Sequence, residues 1–412
     1  LPWSAGCWGG CTAGEVELYE PEGSGLGQGL TVKVELDSTA ADIAEALGWT
    51  EGVPGAEVRV HRLGTEFRWL TVLTDSAGEV RLPSLIPGTY RVAAYRVLTD
   101  EEAAQLGGRR RAFADGTIVH LSQPLARTLR MTADEPGSIL ISEVYATAPY
   151  VAEIQYDYHM FFELYNNSEI AVFLDGMIFG ETYGPARSDI EEFPCEASAH
   201  VRNDPDAIWA VYFHRFPSTG AEYPLAPGEA AVIAVDAVDH SAVDPRFPDL
   251  THADFELLGP GDVDNPAVPN LPEVGVRTSA RGHGLWLGIG KTYFVSRPVD
   301  LEGLERRVIR PPYPDEAVGF PREAILDVVA TEDNDAREEQ LYPMCDEMVH
   351  RNFDRLAGGF IKHGEDLEYS VQRVVIDTTP DGRAILQDTN TSAVDLVRAL
   401  YTPGTLPQAP GF

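Results

Sequence analysis

The chain has 412 residues, 44% of them hydrophobic, and its 65 acidic against 31 basic side chains leave a formal charge of −34 at neutral pH. That much apolar residue is enough for two or three buried cores, which excludes a disordered chain, and so negative a field repels phosphate backbones and excludes nucleic acid as a partner. No apolar run approaches the roughly 18 to 20 residues that cross a bilayer as a helix, so no membrane-spanning segment is expected. Lys33, Lys291 and Lys362 are the only lysines, so nearly all the positive charge is arginine. The acid excess itself reads as solubility or adaptation to a salty medium. The 38 Gly and 30 Pro fall as turn pairs between short apolar runs, which predicts an all-β chain of many strands.

Residues 1–27 are Gly-rich, with Glu15 to Glu20 as their only strand-like piece, and read as an arm or linker. Within them Ser4-Ala5-Gly6-Cys7 resembles the end of a bacterial lipoprotein signal, in which lipid is attached to the cysteine, although Ser4 stands where that pattern usually has Leu. The alternative is that Cys7 pairs with Cys11. The other two cysteines, Cys195 and Cys345, each lie in a Pro-containing loop, FPCEA and YPMCDE. Four cysteines allow three pairings; the pair Cys195–Cys345 would pin two long insertions together.

Residues 28–132 form the next unit. Val32, Val34 and Leu36 alternate as a strand, Ala40 to Leu47 reads as a short helix, and Pro54-Gly55 turns into a strand from Glu57 to His61. Thr74-Asp75 with Gly78 makes a tight turn, and Pro87-Gly88 leads into Tyr90 to Ala94. Thr99 to Gln105 carries a capping residue followed by acids, the start of a helix. Arg109 to Arg111 is the one basic cluster and is expected to pair with acids of the chain itself; Ile118 to Leu129 is read as the last strand of the unit. With the segments VPGAEVRVHRLG and FRWLTVLTDSAGEVRLPSLIPGTYRVAAY, this stretch resembles the carboxypeptidase regulatory-like domain, which implies a transthyretin-like sandwich of seven strands.

Thr132 to Pro136 reads as a link, and residues 137–412 as the second domain. Ile139 to Val144 alternate, a second alternation runs through Tyr156, Tyr158, Met160, Phe162 and Leu164, and Asn166-Asn167-Ser168 turns into a third strand from Ala171 to Leu174, closed by Asp175-Gly176. The order I-x-I-x-E-V, F-F-E-L-Y-N, V-F-L-D-G resembles the opening of a lamin-tail-type domain, an immunoglobulin-like sandwich. The likeness continues in YPLAPGEAAVIAV (Tyr223 to Val235) and GRAILQDTNT (Gly382 to Thr391). With Asp236 to Leu257 added, the chain is similar to an uncharacterised family of bacterial surface lipoproteins with a lamin-tail-like core and long loop insertions, encoded near outer-membrane transport proteins. The expected architecture is therefore all-β, two β-sandwich domains in series.

Motifs for chemistry are few. Gly284 to Thr292, GLWLGIGKT, ends like a phosphate-binding loop, but Leu285 stands where that loop needs Gly, and Leu285 to Ile289 reads as a strand. His-Glu-x-x-His, Gly-x-Ser-x-Gly and Cys-x-x-Cys do not occur. Oxygen ligands at alternate loop positions suit calcium, and two loops offer them: Asp262, Asp264 and Asn265, and Asp333 and Asp335 beside Glu332 and Asn334. Solvated acidic loops are the competing interpretation. His240, His252 and Asp254 lie close in sequence and invite a transition metal. On the aromatic strand, Tyr156, Tyr158, Met160 and Phe162 are assigned to the core, and His159, Phe161 and Tyr165 to a face that would meet a ligand.

The function expected from these features is a non-catalytic exported protein of the bacterial surface. Its role would be binding or assembly with a protein partner, either through self-assembly or beside an outer-membrane transporter. Capture of a glycan or an iron-containing cofactor is one alternative; a metal-dependent hydrolase built on the inserted loops is another.

Overall fold

A computed structural model describes residues 27–65, 68–108, 110–132, 137–183, 200–201, 203–257, 264–276, 291–309, 316–333, 351–361 and 364–405. The first unit lays down β1 (Gln28–Leu36), α1 (Ala41–Leu47), β2 (Glu57–Arg62), β3 (Leu70–Leu73), β4 (Glu79–Leu85), β5 (Gly88–Val97), α2 (Asp100–Gln105), β6 (Ala112–Leu121) and β7 (Leu125–Met131). These pair as a three-stranded sheet, β4-β1-β7, and a four-stranded sheet, β3-β2-β5-β6, with β1 and β7 parallel. The alternation in sequence is the alternation in space. Leu30, Val32 and Val34 of β1 meet Val58 and Val60 of β2 and Tyr90, Val92 and Ala94 of β5 in one apolar cluster.

The local signals act as their chemistry dictates. Asp75 accepts bonds from the backbone of Ala77 and Glu79 at 2.9 Å each, and Gly78, at φ +74°, leaves no room for a side chain: a Cβ there would stand 2.6 Å from the Val53 nitrogen. Thr99 and Glu102 form a reciprocal capping box at the start of α2. Arg110 pairs with Asp100 of that helix at 2.7 Å, as expected for the basic cluster; Arg109 lies outside the described residues. One expectation fails. The stretch read as a single last strand, Ile118 to Leu129, is two strands broken at Ser122-Gln123-Pro124, because β6 and β7 belong to opposite sheets and Pro124 has no N–H to continue a ladder.

The second unit contains β8 (Ile139–Tyr145), β9 (Tyr150–Val151), β10 (Ile154–Gln155), β11 (Phe161–Asn166), β12 (Val172–Phe173), β13 (Ile178–Thr182), β14 (Ala207–Arg215), β15 (Pro224–Leu225), β16 (Ala230–Ala234) and β17 (Phe255–Glu256). It continues with β18 (Thr292–Ser296), β19 (Arg306–Val308), β20 (Glu316–Pro321), β21 (Ile325–Asp333), β22 (Gly358–Ile361), β23 (Tyr369–Arg373), β24 (Val375–Thr378), β25 (Ala384–Leu386), α3 (Ser392–Asp395) and β26 (Leu396–Leu400). A six-stranded sheet, β17-β16-β11-β8-β23-β26, packs on a seven-stranded one, β19-β20-β14-β13-β18-β21-β22. The inner faces supply Ile139, Ile141, Phe162, Leu164, Ile233 and Val371 from the first, and Phe179, Tyr293, Val295 and Val329 from the second. The chain is thus all-β in several sheets with no barrel.

Outer faces are covered as well. The insertion that follows β16 lays Ala237, Leu250 and Val268 over Tyr145, Phe161 and Val232, and the β24–β25 hairpin lays Val375 and Leu386 over Leu140 and Tyr165. The aromatic strand begins at Phe161; Tyr156 and Tyr158, read from alternation as part of it, lie in the turn before it. The third strand, expected from Ala171 to Leu174, is the two-residue β12.

The two units meet where β5 and β6 approach the turn before β22 and the start of α3. Ala93 and Ala114 pack with Leu356, Ala393 and Val394, and the Tyr95 hydroxyl donates to Gln387 at 2.6 Å. Gly116 is a close approach here, since a Cβ would stand 2.7 Å from that of Leu356.

Candidate functional site

The site begins with a buried arginine. Arg373, at the end of β23, is 2% exposed, and a charge so placed must be paired. Its Nη2 donates to both carboxylate oxygens of Asp327 on β21, at 2.6 and 2.7 Å. Its Nε donates to the Ile141 carbonyl at 3.0 Å, and its Nη1 to the Gln387 carbonyl at 2.9 Å and toward Asp388 at 3.5 Å. The pair bridges the two sheets. Burial pushes the Asp327 carboxyl up, against the pull of the Arg373 guanidinium that grips both its oxygens.

The same network ties down the loop Gln387 to Asn390. Asp395 accepts from the backbone of Thr389 and Thr391 at 2.9 and 3.1 Å, from the Thr389 hydroxyl at 2.7 Å and from the Gln387 amide at 2.9 Å. Asp354 accepts from the backbone of Ala330, Leu356 and Ser392 and from the Ser392 hydroxyl, so it clamps the turn before β22 to β21 and to α3. Its burial raises it to about 7.

On the solvent side of this clamp lies a cleft of about 160 Å³, lined by Arg322, Ile325, Leu326, Asp327, Val328, Arg351, Asn352, Phe353, Arg355 and Asn390. Three of its polar groups are arginines, in a chain where acids outnumber bases 65 to 31. Arg322 extends over the Phe353 ring, 4.1 Å from its centroid, and donates to the carbonyls of Pro205 at 2.8 Å and Asn352 at 2.6 Å. Arg355 donates through Nη1 to the Thr389 carbonyl at 2.6 Å. Asn390 is held at φ +50°, a left-handed conformation that asparagine tolerates better than most residues, and its carbonyl accepts the Arg355 N–H at 2.8 Å. Backbone carbonyls thus hold two of the three guanidiniums along a cleft whose lining also includes the Asp327 carboxylate and the apolar Ile325, Leu326 and Val328.

The residues singled out from sequence lie elsewhere. Cys7, Cys11, Cys195, Cys345, Asp262, Asp335 and the segment Leu285 to Ile289 are outside the described residues. Asp264 accepts from the Asn270 amide at 2.9 Å, and Asn265 donates to the Ala237 carbonyl at 2.8 Å and accepts from Ala267, bonds that fold the loop on itself. The backbone of Asp333 pairs with Ile361 at the end of β21. Among the described residues no group of three His, Cys, Asp and Glu is placed to hold a metal.

Two groupings are corrected. His240 and His252 do not converge: His240 is buried with its ring nitrogens against the Tyr156 hydroxyl at 2.8 Å and the Asp236 carbonyl at 2.9 Å, while His252 is exposed. His159, Phe161 and Tyr165 are fully buried, because the insertion and the β24–β25 hairpin cover the face that alternation left open. His159 stacks on Phe247 at 4.0 Å between ring centroids, and burial depresses it to about 3, so the ring is neutral.

A second buried pair belongs to that outer face. Glu143 and Glu163 are cross-strand partners on β8 and β11. Thr402 and Gly404 close over them: the Thr402 backbone donates to Glu143 at 3.0 Å, and the Gly404 backbone to Glu163 at 2.9 Å. Burial, then the neighbouring Glu143, raises Glu163 to about 8, so it carries a proton at neutral pH.

Residues 226–402 match the model of a family described as a protein of unknown function, DUF4876. That segment contains all the cleft residues. A crystal structure of a DUF4876 family protein from Bacteroides thetaiotaomicron VPI-5482 is similar at 18% identity with a TM-score of 0.49, over 92% of this chain and 96% of that one. No curated protein matches. Sequence reasoning named none of the cleft residues as a site; Asn390 falls within GRAILQDTNT, which was read only as part of a family likeness. The signal available was Arg351 and Arg355 four residues apart in an acid-rich chain.

Proposed function

We propose that this chain is a non-catalytic, exported binding protein of the bacterial surface that takes an anionic group of a protein partner into the arginine cleft. The observation that carries the proposal is the convergence of Arg322, Arg351 and Arg355 on one polar cleft in a chain of net charge −34. Positive charge gathered against the sign of the whole molecule suits local recognition better than general solubility. The groups most suited to catalysis are engaged in the scaffold: Glu143 and Glu163 are fully buried beneath Thr402 and Gly404, and Asp354 and Asp395 accept backbone bonds. The likeness of residues 28–132 to carboxypeptidase regulatory-like domains, and of residues 137–402 to a lamin-tail-like surface lipoprotein, supports export and a place beside an outer-membrane transporter.

Sulfate tests the proposal. Thermal unfolding of the whole chain, followed against sulfate at constant ionic strength, should show a midpoint that rises with ligand by mass action. Arg351→Gln should abolish the rise. A midpoint that does not move, or that moves equally in the variant, would remove the cleft from the account.

A further inference from the structure

We propose that the turn after β26, Thr402 to Thr405, is a proton-locked strap: it closes over Glu143 and Glu163 while that pair holds a proton, and it opens to solvent as the proton is lost. The inference stands apart from the arginine cleft and does not rest on it.

The cover is a local structure. The Thr405 N–H donates to the Thr402 carbonyl at 2.9 Å across Pro403 and Gly404, and Gly404 has φ +72°, the signature of a type II turn. The turn's own bond uses the Thr405 N–H and Pro403 has none, so the N–H groups of Thr402 and Gly404 are left to face the sheet. They reach Glu143 at 3.0 Å and Glu163 at 2.9 Å. The Thr402 hydroxyl donates to Glu143 and accepts from the Gln372 amide, both at 3.3 Å. Among the described residues, these are the hydrogen bonds that tie the turn to the sheet. Tyr401 is anchored separately, through its N–H to the Glu368 carbonyl and its hydroxyl to the Arg246 carbonyl, both at 3.1 Å, and so marks the hinge.

What the strap covers cannot carry two charges. Glu143 and Glu163 stand opposite each other on β8 and β11, each at 0% exposure. Among the described residues no cation pairs with either. The elements around them bring Ser142 from β8, Ser370 and Gln372 from β23, Val232 from β16, and a third acid, Asp254, from the insertion, where it accepts the Val232 N–H at 2.8 Å. Like charges facing each other in a dry site do not ionise together, so the pair retains a proton. The bonds around Ser142 place it. That hydroxyl has one hydrogen and lies 3.2 Å from the Glu163 carbonyl and 2.7 Å from Glu163 Oε1; donating to the carbonyl, it offers a lone pair to a proton on Oε1. Glu143 instead faces donors, from Thr402 and the Gln372 amide, and is the ionised member.

Loss of the proton sets a second charge against the first. The strands cannot part, because β8 lies between β11 and β23, and β11 between β8 and β16. The strap, held by a few bonds, is the part that yields, and its opening hydrates both carboxylates. Burial, then Glu143, raises Glu163 from 4.5 to about 8 in the closed form, while water returns it toward 4.5 in the open one. Opening therefore increases as pH rises from 4.5, by at most about tenfold per pH unit, and levels off above 8.

The test is amide hydrogen exchange of the full chain between about pH 5 and 9.5, corrected for the intrinsic base catalysis of exchange. Protection of Thr402 and Gly404 should fall at least about tenfold over this range and flatten above pH 8, while β8 and β11 stay protected. Glu163→Gln, of the same size but without the charge, should hold protection level throughout. In Glu143→Gln the fall should flatten at a lower pH, since the like charge is gone. Protection that does not change with pH in the unaltered chain overturns the inference. So does an equal fall in Glu163→Gln, which would mean a chain segment that frays by itself, or a fall shared by β8 and β11, which would mean loosening of the whole sheet. If either variant fails to fold, the profile of the unaltered chain decides alone.

Discussion

The two sandwiches bury their sheets differently. In the first, the three-stranded sheet packs one face on the core and leaves Arg81, Pro83, Ala126 and Arg127 to solvent. In the second, every residue of β8, β11, β13 and β18 is buried, because insertions and a hairpin cover the outward face. Covering that face brings polar groups inside, and each must then find a partner. Arg373, Asp327, Asp354, Asp395, Glu143 and Glu163 are all of this kind, whereas the first sandwich holds its shape mainly by alternating apolar residues. The cleft arises on the side with buried charge, since the network that satisfies Arg373 also fixes the loop and turn that present the arginines.

The largest effect expected from this contrast is at Arg373. Arg373→Met leaves Asp327 and its neighbours without their cation, and removing one partner of a buried pair costs about 3–5 kcal/mol. Urea unfolding should show that loss in the second sandwich with the first little changed. A loss under about 1 kcal/mol, the scale of an exposed pair such as Arg110–Asp100, would erase the distinction between the two units.

Dependence on pH sharpens the same contrast. His159 is depressed from 6.5 to about 3, so its contribution is complete above pH 6.5 and is lost as pH falls toward 3. Glu163 is raised from 4.5 to about 8, so its contribution is complete below pH 4.5 and is lost as pH rises through 8. His159→Phe should flatten the acid limb of a stability profile and Glu163→Gln the alkaline limb. Unchanged slopes would mean that these groups are wetter than the fold places them. The smallest effect is in the first sandwich: Thr99→Ala removes the cap of α2 and should cost about 1 kcal/mol in the same denaturation experiment. A loss above about 3 kcal/mol would show that the helix end is part of the core.

Legibility followed the same division. Strands of the first sandwich were readable because one face is wet and the period of two survives: Leu30, Val32 and Val34 are buried, and Thr31, Lys33 and Glu35 are less so. The short helix of residues 41–47, the capping box at Thr99 and the turn at Asp75-Gly78 carry local chemistry that needs no tertiary context. Around Phe161 the alternation was real, but it could not say that the second face is buried too, because the covering residues, Leu250 and Val375 among them, come from far along the chain. The cleft was hidden for the same reason. Arg322, Arg351 and Arg355 meet through the pairing of β21 with β22 and the Asp354 clamp, long-range contacts with no local signature.

The most direct measurement is a crystal of the full chain soaked in selenate, read by its anomalous signal. The account predicts a peak within hydrogen-bonding distance of Arg351 and at least one of Arg322 and Arg355, absent in Arg351→Gln crystals. Selenate bound only elsewhere on the surface, with the cleft filled by ordered water, would contradict it.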